Sequence, residues 1–309
     1  MTKEMRNSSI ELLRIIAVMG VIVLHFNGVY GNAFEYVETR SINSMTLRYL
    51  ESLFVPAVNL FVLISGYYMC STYKRPIVKP IYLIIQVMVF GGICYLLSVV
   101  ENGMRSFSVT SATRSVIPSN YYVILYATLY LISPFINVAL NHINEKQLKR
   151  FVVIFVLLFS VCPILIDVLQ EVLAIEFQGL NPVGLLGDQN GYTIVNFGLM
   201  YIIGAYIRIK DIQWSAKKSL LMIAACSVLL TVWSMVLPST AWSYCNPLVI
   251  GEAVAAFLLF KELCIKSRVI NMASKAVFTC YLFHGYLVQH LPVKYMVQKN
   301  ILCLMALLI

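Results

Sequence analysis

Three residues able to do chemistry, Glu11, Arg14 and His25, interrupt an otherwise apolar run between residues 9 and 29. Glu11 and Arg14 are three positions apart and can pair on one face of a helix. Arg14 and His25 are eleven apart, close to three helical turns, so both project from the same face, ~16 Å apart along the axis. A guanidinium holds a phosphate or carboxylate in a forked geometry. An imidazole takes and gives a proton near neutral pH. From spacing alone a second reading stands beside this one: Arg14 snorkels to an interface next to Glu11, and His25 is an interfacial side chain.

The elements that carry these residues are set by composition. The chain has 309 residues, 60% hydrophobic and 12% charged, with mean hydropathy +0.81. Soluble domains carry about twice that share of charge, so a soluble enzyme, a disordered chain and a collagen are excluded. Long continuous apolar runs, rather than short alternating segments, point to an all-α polytopic transmembrane bundle and away from a β-barrel. The eight cysteines form no C-x-x-C pair and lie mostly in or beside apolar runs, which argues against a disulfide framework or a metal site.

Runs long enough to cross a bilayer fall near 9–29, 47–70, 80–100, 121–140, 151–170, 192–209, 219–238, 245–262 and 276–292. These make nine full spans. A partial tenth begins near Asn300 and reaches Ile309, about half a crossing; it is either a truncated helix or an interfacial tail. The first run is read as a retained helix rather than a signal peptide, because Glu11 and Arg14 interrupt it and no small-x-small site follows. Sixteen Lys and Arg residues fall in one set of alternate connections, beginning with Lys3 and Arg6, and six in the other. That bias places the N-terminus in the cytoplasm. The whole of 1–309 reads as one integral membrane domain, multi-pass in the cell (plasma or inner) membrane, with Pro56, Pro134 and Pro163 as candidate helix breaks.

Charge held inside a bilayer is costly, so each such residue is a functional candidate. The pattern Arg14-x10-His25 resembles the opening signature of the acyltransferase-3 family of membrane O-acyltransferases. Asn59-Leu60-Phe61-Val62-Leu63-Ile64-Ser65-Gly66-Tyr67-Tyr68-Met69 resembles that family's "FFVISGYL" segment. Lys74-Arg75-Pro76-Ile77-Val78-Lys79 stands where the family has a basic loop, with a different spacing from its R-x-x-R. The stretch from Tyr121 to Pro134 is similar to the family's aromatic "WYLxxLLxLYLLxP" helix, and Tyr281-Leu282-Phe283-His284 to its "YLxH" element.

The resemblance implies a ten-helix bundle that moves an acyl group, usually acetyl, from cytoplasmic acetyl-CoA to a hydroxyl of a cell-surface or lipid-linked glycan. Polysaccharide-assembly proteins are then possible partners, together with the bilayer, and neither a nucleic acid nor a metal takes part. His25 becomes the catalytic base or a transient acyl carrier. Arg14 would bind the CoA phosphates, with Glu11 orienting it or serving as counter-ion. Ser65, Gly66 and Arg75 would assist at the donor site, although a serine more often bonds back to its own helix. Tyr121 and Tyr122 would meet the sugar, a place tyrosine also takes at interfaces for physical reasons alone. Glu252, inside the eighth span with no charge near it in sequence, would pair with an arginine from another helix or line the acceptor cavity. His284 would touch substrate or be hydrogen-bonded packing. The competing class is a secondary transporter of a small polar solute, which would show broken helices in two related halves; no such symmetry is visible in the sequence.

Overall fold

The computed structural model describes residues 7–177 and 179–299. Lys3 and Arg6, Gln178 and the partial tenth run from Asn300 lie outside the described residues. Among those described, every regular element is helical.

Helix α1 (Ser8–Asn27) begins where the Asn7 side chain accepts the Ser9 amide, a standard way to satisfy an orphan N–H. Its first turn is tied to a loop 254 and more positions away: Ser9 Oγ donates to the Leu263 carbonyl and accepts from the Ile265 amide (3.1 Å), and Ser8 Oγ accepts from the Ser267 amide (3.1 Å). The run expected near 47–70 is two helices, α2 (Ile42–Phe54) and α3 (Ala57–Met69). Pro56 stands at the junction, and a proline supplies no N–H to continue the ladder. Then come α4 (Val78–Asn102), the short α5 (Val109–Val116) and α6 (Tyr121–His142), which keeps Pro134 inside a continuous helix. Helices α7 (Glu145–Val156) and α8 (Cys162–Leu173) are joined through a π-turn at Leu157–Val161. That bulge lies next to Pro163, so the missing amide is absorbed by a wider turn. The chain continues through α9 (Ile194–Ile209), α10 (Ala216–Ser234), a single turn α11 (Pro238–Ala241), α12 (Pro247–Glu262), α13 (Arg268–Ala273), α14 (Val277–Gln289) and α15 (Val293–Lys299).

The core is centred on α3 and α9, where Leu63, Ile64, Leu199, Met200 and Tyr201 are fully buried. These two helices touch backbone to backbone. A Cβ on Gly66 would stand 2.1 Å from the Tyr201 carbonyl oxygen, and one on Gly204 would stand 2.2 Å from that of Leu63. Gly66, expected at the donor site, is therefore a packing position: its open face is filled by α9. Small residues allow such approaches between helices in lipid, where apolar burial alone gives no drive to associate. Around this pair stand α1, α12, α6 and α7, with α10 packed on α12 and α2, while α4 lies at the edge, with Pro80 and Val99 its only buried residues.

The outward surface is apolar. Ile85, Leu96, Phe135, Leu221 and Val232 are all exposed, an arrangement water would not tolerate on this scale. Six stretches are long and apolar enough to cross a bilayer: Ser8–Asn27, Ile42–Met69, Val78–Asn102, Val109–His142, Glu145–Leu173 and Ala216–Ser234. The chain is a multi-pass membrane protein. Three of the nine expected spans correspond to shorter helices, α9 and α12 with 16 residues each and α14 with 13. Thirteen residues of helix rise ~20 Å, against a hydrocarbon core of ~30 Å. Outside the spans, Lys261 at the end of α12 donates to Asp211 Oδ1 (3.1 Å) and to the Ile212 carbonyl (2.9 Å). The ammonium holds the Asp211 carboxyl below its ordinary range.

Gly66→Ala is expected to destabilise the protein by about 1–3 kcal/mol or more through overpacking. Gly198→Ala on α9, where a Cβ meets nothing within 4 Å, is expected to be neutral or slightly stabilising. Thermal unfolding of the two variants in detergent checks the contrast; equal melting temperatures would show that α3 and α9 are not in backbone contact.

Candidate active site

The stripe on α1 reaches two cavities. Arg14 lines a cavity of about 220 Å³ whose walls are mostly apolar, from Val21 on α1, Val58 and Phe61 on α3, Tyr122 on α6 and Phe278 on α14. Ser274 and Lys275, from the turn before α14, complete its polar edge. His25 lines a second cavity of about 400 Å³ with Tyr30, Asn120 and His284, and with Cys94 and Ser98 on α4. Tyr281 lines both cavities. Its hydroxyl donates to Asn120 Oδ1 (3.0 Å), and its ring lies between those of Tyr122 (5.7 Å) and His284 (5.7 Å). One aromatic side chain is thus common to the walls of the Arg14 cavity and the His25 cavity.

At the first end, Arg14 Nη1 donates to Glu11 Oε1 at 3.2 Å, the pairing expected from their spacing. The Glu11 side chain is 8% exposed and that of Arg14 35%. The carboxylate is therefore held by its partner, while the guanidinium, which makes no other hydrogen bond among the described residues, lines the cavity. Lys275 is exposed beside it and has no ion-pair partner among the described residues.

At the second end, α1 stops just beyond His25. The amides of Tyr30 (3.1 Å) and Gly31 (3.0 Å) both donate to the His25 carbonyl, which folds the Tyr30 ring back edge-on to the imidazole at 5.2 Å. A Cβ on Gly285 would stand 2.7 Å from that same ring, so glycine is what lets Tyr30 lie against α14. His25 Nδ1 is hydrogen-bonded to His284 Nε2, and His284 Nδ1 to the Tyr281 carbonyl (2.5 Å). The rim is closed where α4 meets α14: the Tyr286 hydroxyl donates to Glu101, and His290 Nε2 lies 2.9 Å from the other Glu101 oxygen.

The remaining expected site residues are dispersed. Ser65 Oγ donates to the Phe61 carbonyl of its own helix (2.9 Å) and meets the Tyr126 hydroxyl at 3.2 Å. Arg75 is folded back, with Nη2 on the Met69 carbonyl (3.0 Å) and its guanidinium over the Tyr130 ring at 5.2 Å, and it lines neither cavity. Tyr122, expected to meet the sugar, lines the Arg14 cavity. Tyr121 packs edge-on with Tyr192 at 4.8 Å. Glu252 is 1% exposed and accepts from Ser227 Oγ on α10 (2.5 Å). Its partner is thus a serine rather than an arginine, and it lines neither cavity. Sequence reasoning passed over Tyr281, Asn120, Lys275 and Tyr30. Tyr281 stood in the quoted Tyr281–His284 element, and Lys275 was counted only as an inner-loop charge; Asn120 and Tyr30 carried no signal.

A two-ended site of this kind, buried in a multi-helix membrane bundle, can bind an anion at one end and move a proton at the other. The chain belongs to the acyltransferase-3 family: the family's profile, described as an acyltransferase domain, matches residues 7–302. No curated protein and no solved structure matches the chain.

Arg14→Ala leaves the buried Glu11 carboxylate without its partner and is expected to cost about 1–3 kcal/mol. Glu11→Gln, which can still accept from Arg14, is expected to cost less. Thermal unfolding in detergent ranks the two; an Arg14→Ala protein as stable as the parent would mean the pair is not formed.

Proposed function

We propose that this protein is an acyl-CoA-dependent O-acyltransferase, taking acetyl in the first instance, that acts on a hydroxyl of a cell-surface or lipid-linked glycan. In this reading it sits in the plasma membrane as one domain, crosses nine times and keeps its N-terminus in the cytoplasm. The observation that carries the proposal is Tyr281, shared by the cavity that holds Arg14 and the cavity that holds His25. Donor and acceptor would enter from opposite ends and meet at that ring.

Each end suits its substrate. Coenzyme A carries phosphates, and Arg14 with Lys275 supplies two cations, the second without an ion-pair partner among the described residues. The apolar walls from Val21 to Phe278 suit a thioester arm. In the second cavity Asn120, Ser98 and Gln289 offer polar groups to a sugar. His25 would take the acceptor's proton as its oxygen attacks the thioester carbonyl; the C–S bond breaks, and the leaving thiolate recovers that proton. Alternatively the same imidazole nitrogen takes the acyl group first and passes it to the hydroxyl. Polysaccharide-assembly proteins would deliver the acceptor.

Calorimetry with acetyl-CoA in detergent is the direct test. The parent should bind, and Arg14→Ala should raise Kd about tenfold or more, the worth of a charge-assisted hydrogen bond. His25→Ala should bind the donor normally and transfer no labelled acetyl to cell-surface glycan, while remaining in the membrane. Absence of donor binding by folded protein would overturn the proposal, and normal transfer by His25→Ala would remove that residue from it.

A further inference from the structure

The two histidines 259 positions apart are linked in one hydrogen-bonded chain, and elementary chemistry fixes the direction of each bond. A carbonyl oxygen only accepts. The 2.5 Å contact from His284 Nδ1 to the Tyr281 carbonyl therefore places a hydrogen on Nδ1. In a neutral ring that leaves His284 Nε2 as a bare lone pair, and Nε2 is the atom facing His25 Nδ1. For this contact to be a bond, His25 Nδ1 must carry the hydrogen, and His25 Nε2 is left bare.

The opposite assignment would need His284 to be a charged imidazolium donating from both nitrogens. Among the described residues no carboxylate is hydrogen-bonded to either ring, and Glu101, at the same rim, is taken by Tyr286 and His290. A charged ring held among Tyr30, Tyr281 and His25 without a counter-ion would be costly. Two neutral rings that both lacked a hydrogen at the contact would set lone pair against lone pair.

We infer that His284 is a positioning residue: it fixes His25 as the Nδ1–H tautomer and so makes Nε2 the nitrogen that takes the acceptor's proton. This rests on the acyl-transfer reading of the site. The arrangement suits both halves of the transfer. When Nε2 takes the hydroxyl proton, His25 becomes an imidazolium whose Nδ1–H still points at the His284 lone pair, and the bond strengthens because its donor is now charged. When the thiolate takes the proton back, the starting tautomer is restored. A buried carboxylate does this for histidine in hydrolase triads; here a neutral imidazole, itself held by a main-chain carbonyl, would do so without bringing a second charge into the membrane.

The test uses the full protein in detergent with ¹⁵N-labelled histidine. The chain has four histidines, and the His25 signals are identified by their loss in His25→Asn. In mildly alkaline buffer the expected His25 spectrum is a protonated Nδ1 and a bare Nε2, the tautomer less favoured in water. His284→Phe keeps a ring but offers no acceptor. It should return His25 to the Nε2–H form and lower kcat about 100-fold or more, the usual contribution of a positioned base, with acetyl-CoA binding unchanged. His284→Gln, whose amide oxygen can occupy the Nε2 position, should restore the tautomer and most of the rate. A parent spectrum with hydrogen on His25 Nε2, or a His284→Phe enzyme at full rate, would overturn the inference. The parent spectrum decides the question even if His284→Phe does not fold. If the parent shows the Nδ1–H tautomer and yet transfers no acyl group, the histidine pair stands and the functional reading falls; if it transfers with the other tautomer, the reverse holds.

Discussion

A polar group carried into the interior of a bilayer protein must find its partner inside the protein, because neither lipid nor water will supply one. That constraint organises this molecule. Asn59 donates to the Tyr244 carbonyl and accepts from Asn196, tying α3 to α9 and to the chain before α12. Asn137 holds the end of α3 through the carbonyls of Met69 and Thr72 while accepting from Tyr201. Asn27 bonds Glu51 across α1 and α2, and Ser227 bonds Glu252 across α10 and α12. Each bond joins one helix to another helix or to a loop, from 24 to 185 positions apart, so together they fix which faces meet. The glycines at 66 and 204 then let α3 and α9 close to backbone contact.

Against this background the two ends of the candidate site differ in kind. Most buried polar groups are bonded to protein partners, as Ser65 is to the Phe61 carbonyl and one Glu252 oxygen is to Ser227. Arg14 and Lys275 line one cavity and His25 lines the other, and among the described residues the His25 ring is hydrogen-bonded through Nδ1 alone. Tyr281 lines both cavities. That arrangement supports the proposed reading of this member of the acyltransferase-3 family, with an inner donor and an outer acceptor.

The positions that miss the cavities are equally instructive. Gly66 and Ser65 lie in the Asn59–Met69 segment that resembles the family, yet here they make the α3–α9 contact and a bond to their own helix. Arg75 is folded onto the end of α3 and the Tyr130 ring. A motif can therefore persist because it builds the frame around a site, and the residues within it need not touch substrate.

What the sequence determined by itself was local. Hydropathy located the helices and the membrane, and the 3.6-residue period put Glu11, Arg14 and His25 on one face, because a helix fixes the relation of residues a few turns apart whatever surrounds it. Pro56 was readable as a break for the same reason. The length of each helix was less legible: α14 is a run of apolar residues in sequence but only 13 residues of helix, since its ends are set by the turns at Ser274–Ala276 and His290. Tertiary structure alone decided that His284 meets His25, that Tyr281 lines two cavities, and that Glu252 pairs with a serine. Those relations join residues of separate helices, and apolar faces that are alike in composition could pack in several ways. Only the interlocking of glycines and buried polar partners selects one.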